Sequence, residues 1–183
     1  MSRAPEVRRK DKLMPEDAAR ALLERGYVGR VATADAKGQP YVTPLLYVLM
    51  DGRIYVHNSR ARGHFRQNVE DNARVCFEVD EPGEVFAYGR FECDSSIAYD
   101  SVVVFGSIAV VEDAAVKRRF CEELMRKYAP GSGRPEGFFP RLEQITVYAI
   151  EIERMTGKTT PLPAEEDRWP AADHTKSPGA IAP

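Results

Sequence analysis

Residues 28–79 read VGRVATADAKGQPYVTPLLYVLMDGRIYVHNSRARGHFRQNVEDNARVCFEV, and this stretch decides the fold. Three β-type runs (28–34, 40–49 and 53–57) are separated by the turns AKGQP and MDG. Each turn has a glycine directly after a polar residue, which is typical of a tight hairpin. The three runs are therefore predicted to pair antiparallel, as a meander.

A polar loop, residues 58–64, follows the third run and leads into a short helical pattern and a fourth β-type run. Arg60 or Arg62 offers forked N–H donors, Ser59 a hydroxyl, and Gly63 a close backbone approach, while the following helix N-terminus adds a positive dipole. These groups match the charge and acceptor oxygens of a phosphate monoester. The alternative interpretation is a solvated basic turn that leads into an amphipathic helix.

Size and composition set outer limits on the function. The chain has 183 residues and a formal net charge of −2, so it has no global positive field for nucleic acid. No apolar run reaches the roughly 18 residues that span a bilayer, and no apolar segment follows the charged N-terminus. Its three cysteines include no C-x-x-C pair, so neither a metal site nor a disulfide framework is expected. A cytoplasmic protein without membrane contact is predicted.

The rest of the chain predicts a helix from Met14 to Gly26 and a turn at 80–83. A long β-type run at 97–111 contains Gly106, which suggests a bulge. A second helix is predicted from Glu112 to about Tyr128, and a last alternating strand at 145–152. The polar face of the second helix is interpreted as solvated surface: Lys117, Arg118, Arg119, Arg126 and Lys127.

Four further stretches extend the pattern of the meander: GH, NARVCFEV, YDSVVVFGSIAVVED and ITVYAIEIERMTGK. Together with ATADAKGQPYVTPLLYVLMDGRIYVHNS, they resemble the pyridoxamine 5′-phosphate oxidase-like split-barrel flavoproteins. The chain is most similar to the branch that includes nitroimidazole-resistance (Nim-type) proteins. The resemblance implies a mainly β fold with flanking α-helices, namely a six-stranded, antiparallel, Greek-key-like split β-barrel. It also implies a homodimer with FMN sites between the subunits.

The resemblance divides the chain into a flexible N-terminus (1–12), an FMN-binding split-barrel domain (13–158) and a Pro/Ala-rich tail (159–183). The tail is expected to be disordered or to pack on the partner subunit. The cofactor-binding residues carried over from the family form three groups. The end of the third strand and its loop match the stretch that holds the FMN phosphate: Val56, His57, Asn58, Ser59, Arg62, Gly63 and His64. The strand beside the flavin ring corresponds to Pro44, Leu45 and Tyr47, and the contact from the second subunit to Ser101 and Val102.

The chain also departs from the family pattern. Pyridoxamine-phosphate oxidases carry Arg and Lys on their second strand, where this chain has Thr43 and Val48. Their C-terminal, arginine-bearing substrate signature has no counterpart here. Oxidation of pyridoxamine phosphate is therefore not expected.

No Ser/His/Asp or paired-carboxylate constellation is present, so no catalytic side chain is assigned. The leading hypothesis is an FMN-dependent oxidoreductase that passes electrons from NADH or NADPH to a small-molecule acceptor. The alternative is a flavin- or haem-binding protein without turnover, such as a carrier or a sensor, with His57 as the haem ligand. A deazaflavin in place of FMN also stays open.

Overall fold

The structure, a computed structural model, describes residues 6–133 and 137–176. Within these residues the chain forms three α-helices and seven β-strands in this order: α1 (Glu16–Arg25), β1 (Gly29–Ala34), β2 (Pro40–Leu45), β3 (Tyr47–Met50), β4 (Arg53–Ser59), α2 (His64–Asp71), β5 (Arg74–Ala87), β6 (Ser95–Val110), α3 (Ala114–Tyr128) and β7 (Ile145–Thr160).

All seven strands belong to one sheet with the order β2-β1-β5-β6-β7-β4-β3, and every pair is antiparallel. The two edge strands, β2 and β3, are consecutive in the chain and are separated only by Leu46. Because one residue joins the opposite edges, the sheet has to curl until these edges meet, and it closes into a barrel. The predicted mainly β, antiparallel barrel with flanking helices is confirmed.

The barrel has seven strands instead of six because the predicted strand 40–49 divides at Leu46. β2 pairs with β1, whereas β3 pairs with β4 from Tyr47↔Val56 onward. Among the described residues, no strand pairs with the outer edge of β2, or with residues 57–59 of β4 on the side facing away from β7. The two free edges diverge from Leu46 and leave a split in the barrel wall.

The predicted turn at 80–83 is wrong, because β5 continues through it. A register shift between Pro82 and Val85 marks a bulge, after which pairing with β6 resumes. Pairing of β1 with β5 does not reach Pro82, so the missing N–H of this proline faces no second strand. The bulge predicted at Gly106 is confirmed by a register shift. A Cβ atom there would collide with the carbonyl oxygen of Glu151.

The first two helices agree with the sequence prediction. α1 follows Pro15 and ends at Gly26, where a Cβ atom would lie 2.6 Å from the Tyr47 hydroxyl. α2 buries Phe65 and Val69, the two apolar residues that lie one helical turn apart.

The hydrophobic side chains form two layers. The barrel interior includes Leu22, Leu23, Val31, Tyr47, Ile54, Val56, Phe77, Val102, Tyr148 and Ile150. A second, outer layer lies between the sheet and α3 and contains Val48, Met50, Tyr55, Phe120, Cys121, Leu142 and Val147. Alternate residues of β3, β4 and β7 therefore belong to different layers, as the period of a strand requires.

α3 begins at Asp113, whose side chain accepts hydrogen bonds from the backbone N–H groups of Ala115 (2.7 Å) and Val116 (3.2 Å). The predicted solvated face is correct for Arg118, Arg119 and Arg126, which are exposed. It is wrong for Lys127, because the last turn of the helix carries this side chain inward. The Lys127 Nζ lies 3.9 Å from the centroid of the Tyr47 ring.

Both terminal segments contact the barrel where they are described. The Met14 N–H donates to the Gly157 carbonyl (3.0 Å). In the tail, which was expected to be disordered or to lie on a partner, Trp169 N–H donates to Ala87 (3.1 Å) and His174 N–H to Tyr88 (2.9 Å) of the same chain. The outermost parts of both segments, 1–5 and 177–183, lie outside the described residues. The division at 12/13 and 158/159 stays a prediction.

Candidate functional site

The outer face of β4 forms the centre of the candidate site. Ile54 and Val56 point into the barrel and Tyr55 points outward, so His57 and Ser59 also point outward. α3 covers Tyr55 but leaves Ser59 exposed. The uncovered part of this face adjoins the split between β2 and β4.

His57 lies at the border of the covered and the uncovered parts. Its ring centroid is 5.4 Å from that of Phe120 in α3. Its Nδ1 is buried and has no hydrogen-bond partner among the described residues. Burial lowers the pKa of His57, so the imidazole is neutral at neutral pH. A neutral imidazole can donate one hydrogen bond and accept another.

A cavity of about 330 Å³ lies at the end of β4. It is bounded by the loop after β4, α2, the end of β6, α3 and the start of β7. Four cationic side chains and three glutamates line it: Arg60, Arg62, Arg66, Lys117, Glu70, Glu112 and Glu143. One positive charge is in excess, so the cavity favours an anion despite the overall negative charge of the chain.

Two of these arginines share one carboxylate. Arg62 donates to Glu70 Oε2 from Nε (2.9 Å) and Nη2 (2.8 Å), and Arg66 Nε donates to Oε1 (2.5 Å). The bonds from Arg66, and then those from Arg62, lower the pKa of Glu70. A guanidinium has five N–H donors, so Arg62 keeps donors beyond the two that Glu70 accepts. Glu70 therefore holds both guanidinium groups together at the cavity.

The N-terminus of α2 connects the cavity to β2. Gly63 precedes the helix in an extended conformation, and no side chain caps the helix there. His64 is exposed, and its ring centroid lies 5.9 Å from that of Tyr41 in β2. The first-turn N–H groups of α2 thus lie beside the loop that carries Arg62. Asn58, by contrast, turns inward, and its Oδ1 accepts a hydrogen bond from the Tyr148 hydroxyl (3.2 Å).

Three predicted cofactor contacts lie in the barrel interior. Tyr47, Val56 and Val102 are each 0% exposed. The Tyr47 hydroxyl donates to the Leu23 carbonyl (2.7 Å), and burial raises its pKa. The side chains of these three residues have no free surface for a ligand, because the strand period directs them inward.

The other predicted residues of the strand β2 region are accessible to different degrees. Pro44 is exposed at the free edge of β2, whereas Leu45 is half-buried and packs against the interior layer.

Ser101 pairs with Asp80 and lies in β6, nine residues before Val110, which lines the cavity. Ser101 is not among the residues that line the cavity.

The sequence analysis missed Arg66, Glu70, Glu112 and Glu143, and it assigned Lys117 to the solvated face of α3, whereas this side chain is half-buried and lines the cavity. Arg66 and Glu70 follow Arg62 by one and two helical turns, a spacing that could have identified them. Lys117 comes from a helix more than fifty residues away, and no local signal relates it to β4.

Among the described residues, no three His, Cys, Asp or Glu side chains converge as metal ligands. None of the helices in the described part of the chain is long and apolar enough to span a bilayer.

An antiparallel barrel with a split wall and a cationic cavity beside the split defines a split-barrel protein. Residues 15–159 match the sequence profile of the family described as pyridoxamine 5′-phosphate oxidase. The match covers well over half of the chain, so the chain belongs to this family. No curated protein matches the sequence.

Solved structures show the same fold. A candidate 5-nitroimidazole antibiotic resistance protein from Bacteroides thetaiotaomicron is 21% identical, with 80% of this chain and 85% of that chain covered and a TM-score of 0.67. The flavocytochrome Anf3 from Azotobacter vinelandii is 25% identical over 84% of this chain and 72% of that chain, with a TM-score of 0.67. The FAD and heme binding protein from Mycobacterium smegmatis is 21% identical over 84% and 76%, with a TM-score of 0.68. The predicted resemblance to the family is confirmed by the profile match, and the solved structures share the fold.

Proposed function

We propose that this protein binds FMN, with the phosphate in the cavity at the end of β4 and the ring along the split. The cationic cavity is the observation that carries the proposal. A phosphate monoester has a charge of about −1.5 to −2 at neutral pH and three acceptor oxygens. Arg60, Arg62, Arg66 and Lys117 supply charge-assisted donors from three parts of the chain. The residues present therefore fit the phosphate.

The exposed surface beside the split suits the ring. Pro44 and Leu46 offer apolar contact, and Leu46 is 37% exposed. The unpartnered Nδ1 of His57 is a buried polar atom on the same outer side of the barrel. Leaving such an atom unpaired costs about 1–3 kcal/mol, so a bound group that pairs with it gains affinity.

When bound, FMN supplies the hydride and single-electron transfer chemistry. The chain contributes binding and orientation: the arginines hold the phosphate, neutral His57 offers one hydrogen bond, and Phe120 excludes water on one side. No side chain is assigned a proton-transfer role. We infer that the protein is an oxidoreductase that takes electrons from reduced nicotinamide and passes them to a small acceptor.

Pyridoxamine phosphate is an improbable substrate on physical grounds. Val48, where the oxidases carry lysine, is 3% exposed and packs in the outer layer beneath α3. Thr43, where they carry arginine, has a hydroxyl that is buried without a partner among the described residues. Neither position presents a cation to a second phosphate.

A homodimer would complete the site. Ser101 does not line the cavity, so the cofactor contact that the family resemblance implies for it would come from a second subunit. The edge of β2 exposes Tyr41 (43%) and Val42 (56%), an apolar surface that a second copy could cover.

Titration with FMN and with riboflavin tests the phosphate cavity. FMN binding is expected to be at least about tenfold tighter, since riboflavin has the same ring without the phosphate. Equal affinities would contradict the cavity. Anaerobic mixing of the FMN-loaded protein with NADH or NADPH then tests turnover. Bleaching of the flavin band at about 450 nm, followed by reoxidation with candidate acceptors, is the expected result.

The second candidate function is haem binding without turnover, which His57 favours because neutral imidazole is a common iron ligand. The visible spectrum separates the two functions, since haem gives a Soret band and flavin gives bands at about 370 and 450 nm. A Soret band that disappears in His57→Ala would support haem.

A further inference from the structure

Helix α3 covers the outer face of the sheet beside the proposed cofactor site. Lys117 lines the cavity, and the Phe120 ring lies 5.4 Å from the His57 ring. Of the 15 residues of the helix, only Phe120 and Cys121 are buried. Elements with few buried side chains open at a lower free-energy cost than the core does. With only two buried side chains in its middle, α3 also depends on the attachment of its last turn to cover the site.

Tyr128, at the end of α3, attaches the helix to the free edge of β3. Its hydroxyl accepts a hydrogen bond from the Tyr47 N–H (3.2 Å) and donates one to the Tyr47 carbonyl (2.9 Å). These two backbone groups face away from β4, because β4 pairs with β3 on the other side. The hydroxyl thus satisfies the position that a neighbouring strand would otherwise occupy, next to the strand break at Leu46.

Lys127 lies at the same free edge of β3, beside the Tyr47 ring. Its Nζ lies 3.9 Å from the centroid of the Tyr47 ring and 5.3 Å from that of Tyr128. The Nζ is buried, and no described residue accepts a hydrogen bond from it. An aromatic face attracts an ammonium but replaces its hydration only in part. Docking of the helix end therefore buries an amine that is easier to accommodate without its proton.

The groups around Lys127 offer it no counter-charge among the described residues. Glu123, one turn earlier in α3, binds Arg126 instead. The Tyr47 hydroxyl donates to the Leu23 carbonyl at the end of α1. The charges nearest to that hydroxyl, those of Arg25, Glu78 and Glu81, pair among themselves and with Arg30. The Tyr128 ring also packs edge-to-face against the Tyr27 ring, with 5.3 Å between the centroids.

We propose that Lys127 is a positioning residue that makes α3 a proton-controlled cover of the cofactor site. The helix end docks firmly when the amine is neutral and loosens when it is an ammonium. The role of the cover in cofactor retention rests on the proposed function, whereas the docking itself does not.

The direction of the pH dependence follows from the burial. Desolvation lowers the pKa of Lys127 from 10.5 to about 8 in the docked state. The undocked state thus binds more protons between these two values, so docking strengthens as the pH rises through this window. Below about pH 8 the ammonium is present in both states, and docking is weakest.

The thiol of Cys121 reports undocking, because it is buried beneath α3. Its labelling by a maleimide is followed by peptide mass spectrometry in the full chain, for wild type and Lys127→Met, from pH 7 to pH 9.5. Each rate is divided by that of Lys127→Met at the same pH, which removes the titration of the thiol itself. The ratio is expected to exceed one at pH 7 and to fall by at least about tenfold by pH 9.5.

Two variants sharpen the test. Lys127→Arg keeps its charge throughout this range, so its ratio is expected to stay high at every pH. Lys37→Met removes an exposed lysine of the β1–β2 turn and is expected to behave as wild type. A wild-type ratio that is independent of pH would overturn the proposal, and so would a pH-dependent ratio in Lys127→Arg.

The dissociation rate of FMN supplies the link to function. It is expected to decrease with rising pH in wild type and to be slow and pH-independent in Lys127→Met. If wild type binds no FMN, the proposed function fails while the Cys121 ratio still tests the cover. If FMN binds but the labelling ratio of Cys121 does not change with pH, the proton-controlled cover by α3 is refuted while the proposed function is not.

Discussion

His57 and Asn58 are neighbours in β4, and the pleat of the strand sends them to opposite sides of the barrel wall. Asn58 turns inward and accepts a hydrogen bond from the buried Tyr148 hydroxyl. His57 turns outward and keeps an unpartnered Nδ1 among the described residues. Of two adjacent polar residues, Asn58 is therefore satisfied within the core, whereas the buried Nδ1 of His57 stays without a partner among the described residues.

Replacing Arg62 and His64 together with alanine is expected to weaken FMN binding by at least about tenfold, since a hydrogen bond to a charged group contributes about 1.5–3 kcal/mol. Riboflavin affinity should stay unchanged, because the ring contacts are intact. Isothermal titration with both ligands makes the comparison. Arg119→Ala is the control, since Arg119 pairs with Asp51 on the surface. Equal losses for both ligands would point to a general structural defect.

Glu70→Gln is expected to tighten FMN binding several-fold. Glu70 occupies donors of Arg62 and Arg66 and places a negative charge beside the cavity, so its neutral isostere should leave more positive potential for the phosphate. The matched control is Glu153→Gln, which removes a similar partner from Arg74 outside the cavity. Weaker FMN binding by Glu70→Gln would mean that the carboxylate chiefly orients the arginines.

For individual residues, the sequence identified the loop 58–64 but not the full set of side chains that line the cavity. An arginine of the loop, Ser59 and Gly63 were predicted from residue type and order, whereas His64 was predicted from the family resemblance. Tyr47 and Val102 were predicted as contacts and are core residues, because their direction depends on the register of a barrel that forms from distant strands. Lys117 joins the cavity only through the packing of α3, and no spacing in the sequence encodes that contact.

At the scale of elements, the division of one predicted strand at Leu46 has the largest effect. The residues on either side of Leu46 pair with different neighbours, and the Tyr128 hydroxyl occupies the free edge that results. A proline at 44 lacks the N–H that a central strand would need, so the sequence does indicate an edge there. The exchange of partners depends on tertiary structure. For the same reason the turn predicted at 80–83 does not form, because β5 continues to pair with β6 on both sides of its bulge.

Tyr128→Phe is expected to destabilise the protein by about 1–3 kcal/mol, because the backbone N–H and C=O of Tyr47 lose their partner in a buried position. Urea unfolding followed by circular dichroism measures the change. Tyr27→Phe is the control: its ring also packs against an aromatic neighbour, but the side chain is 70% exposed. A loss in Tyr27→Phe as large as that in Tyr128→Phe would refute the role given to the hydroxyl.

For the whole molecule, the fold was predictable because hairpin turns and alternating runs are local, and the closure of the sheet follows from the order of the strands. The assembly was not predictable from the sequence, since one chain shows only an exposed apolar edge at β2 and a Ser101 that does not line the cavity. A homodimer with shared cofactor sites is thus a prediction that physical arguments support and that solution measurements can test.

Val42→Asp is expected to convert a dimer to a monomer and to abolish stoichiometric FMN binding, because it places a charge on the exposed edge of β2. Light scattering after size-exclusion chromatography gives the mass, and the flavin spectrum gives the occupancy. Phe138→Asp alters another exposed apolar residue and should change neither. A monomeric variant that still binds one FMN per chain would exclude a shared site.

The order of strands in the sheet also constrains how the protein is made. β7 lies between β6 and β4, so these two strands remain unpaired on one side until residues 145–160 have been synthesised. A nascent chain that lacks them exposes two strand edges to any neighbouring polypeptide. A ribosome that pauses before residues 145–160 would thus hold an aggregation-prone intermediate, and the speed of translation through this segment should influence the yield of folded protein.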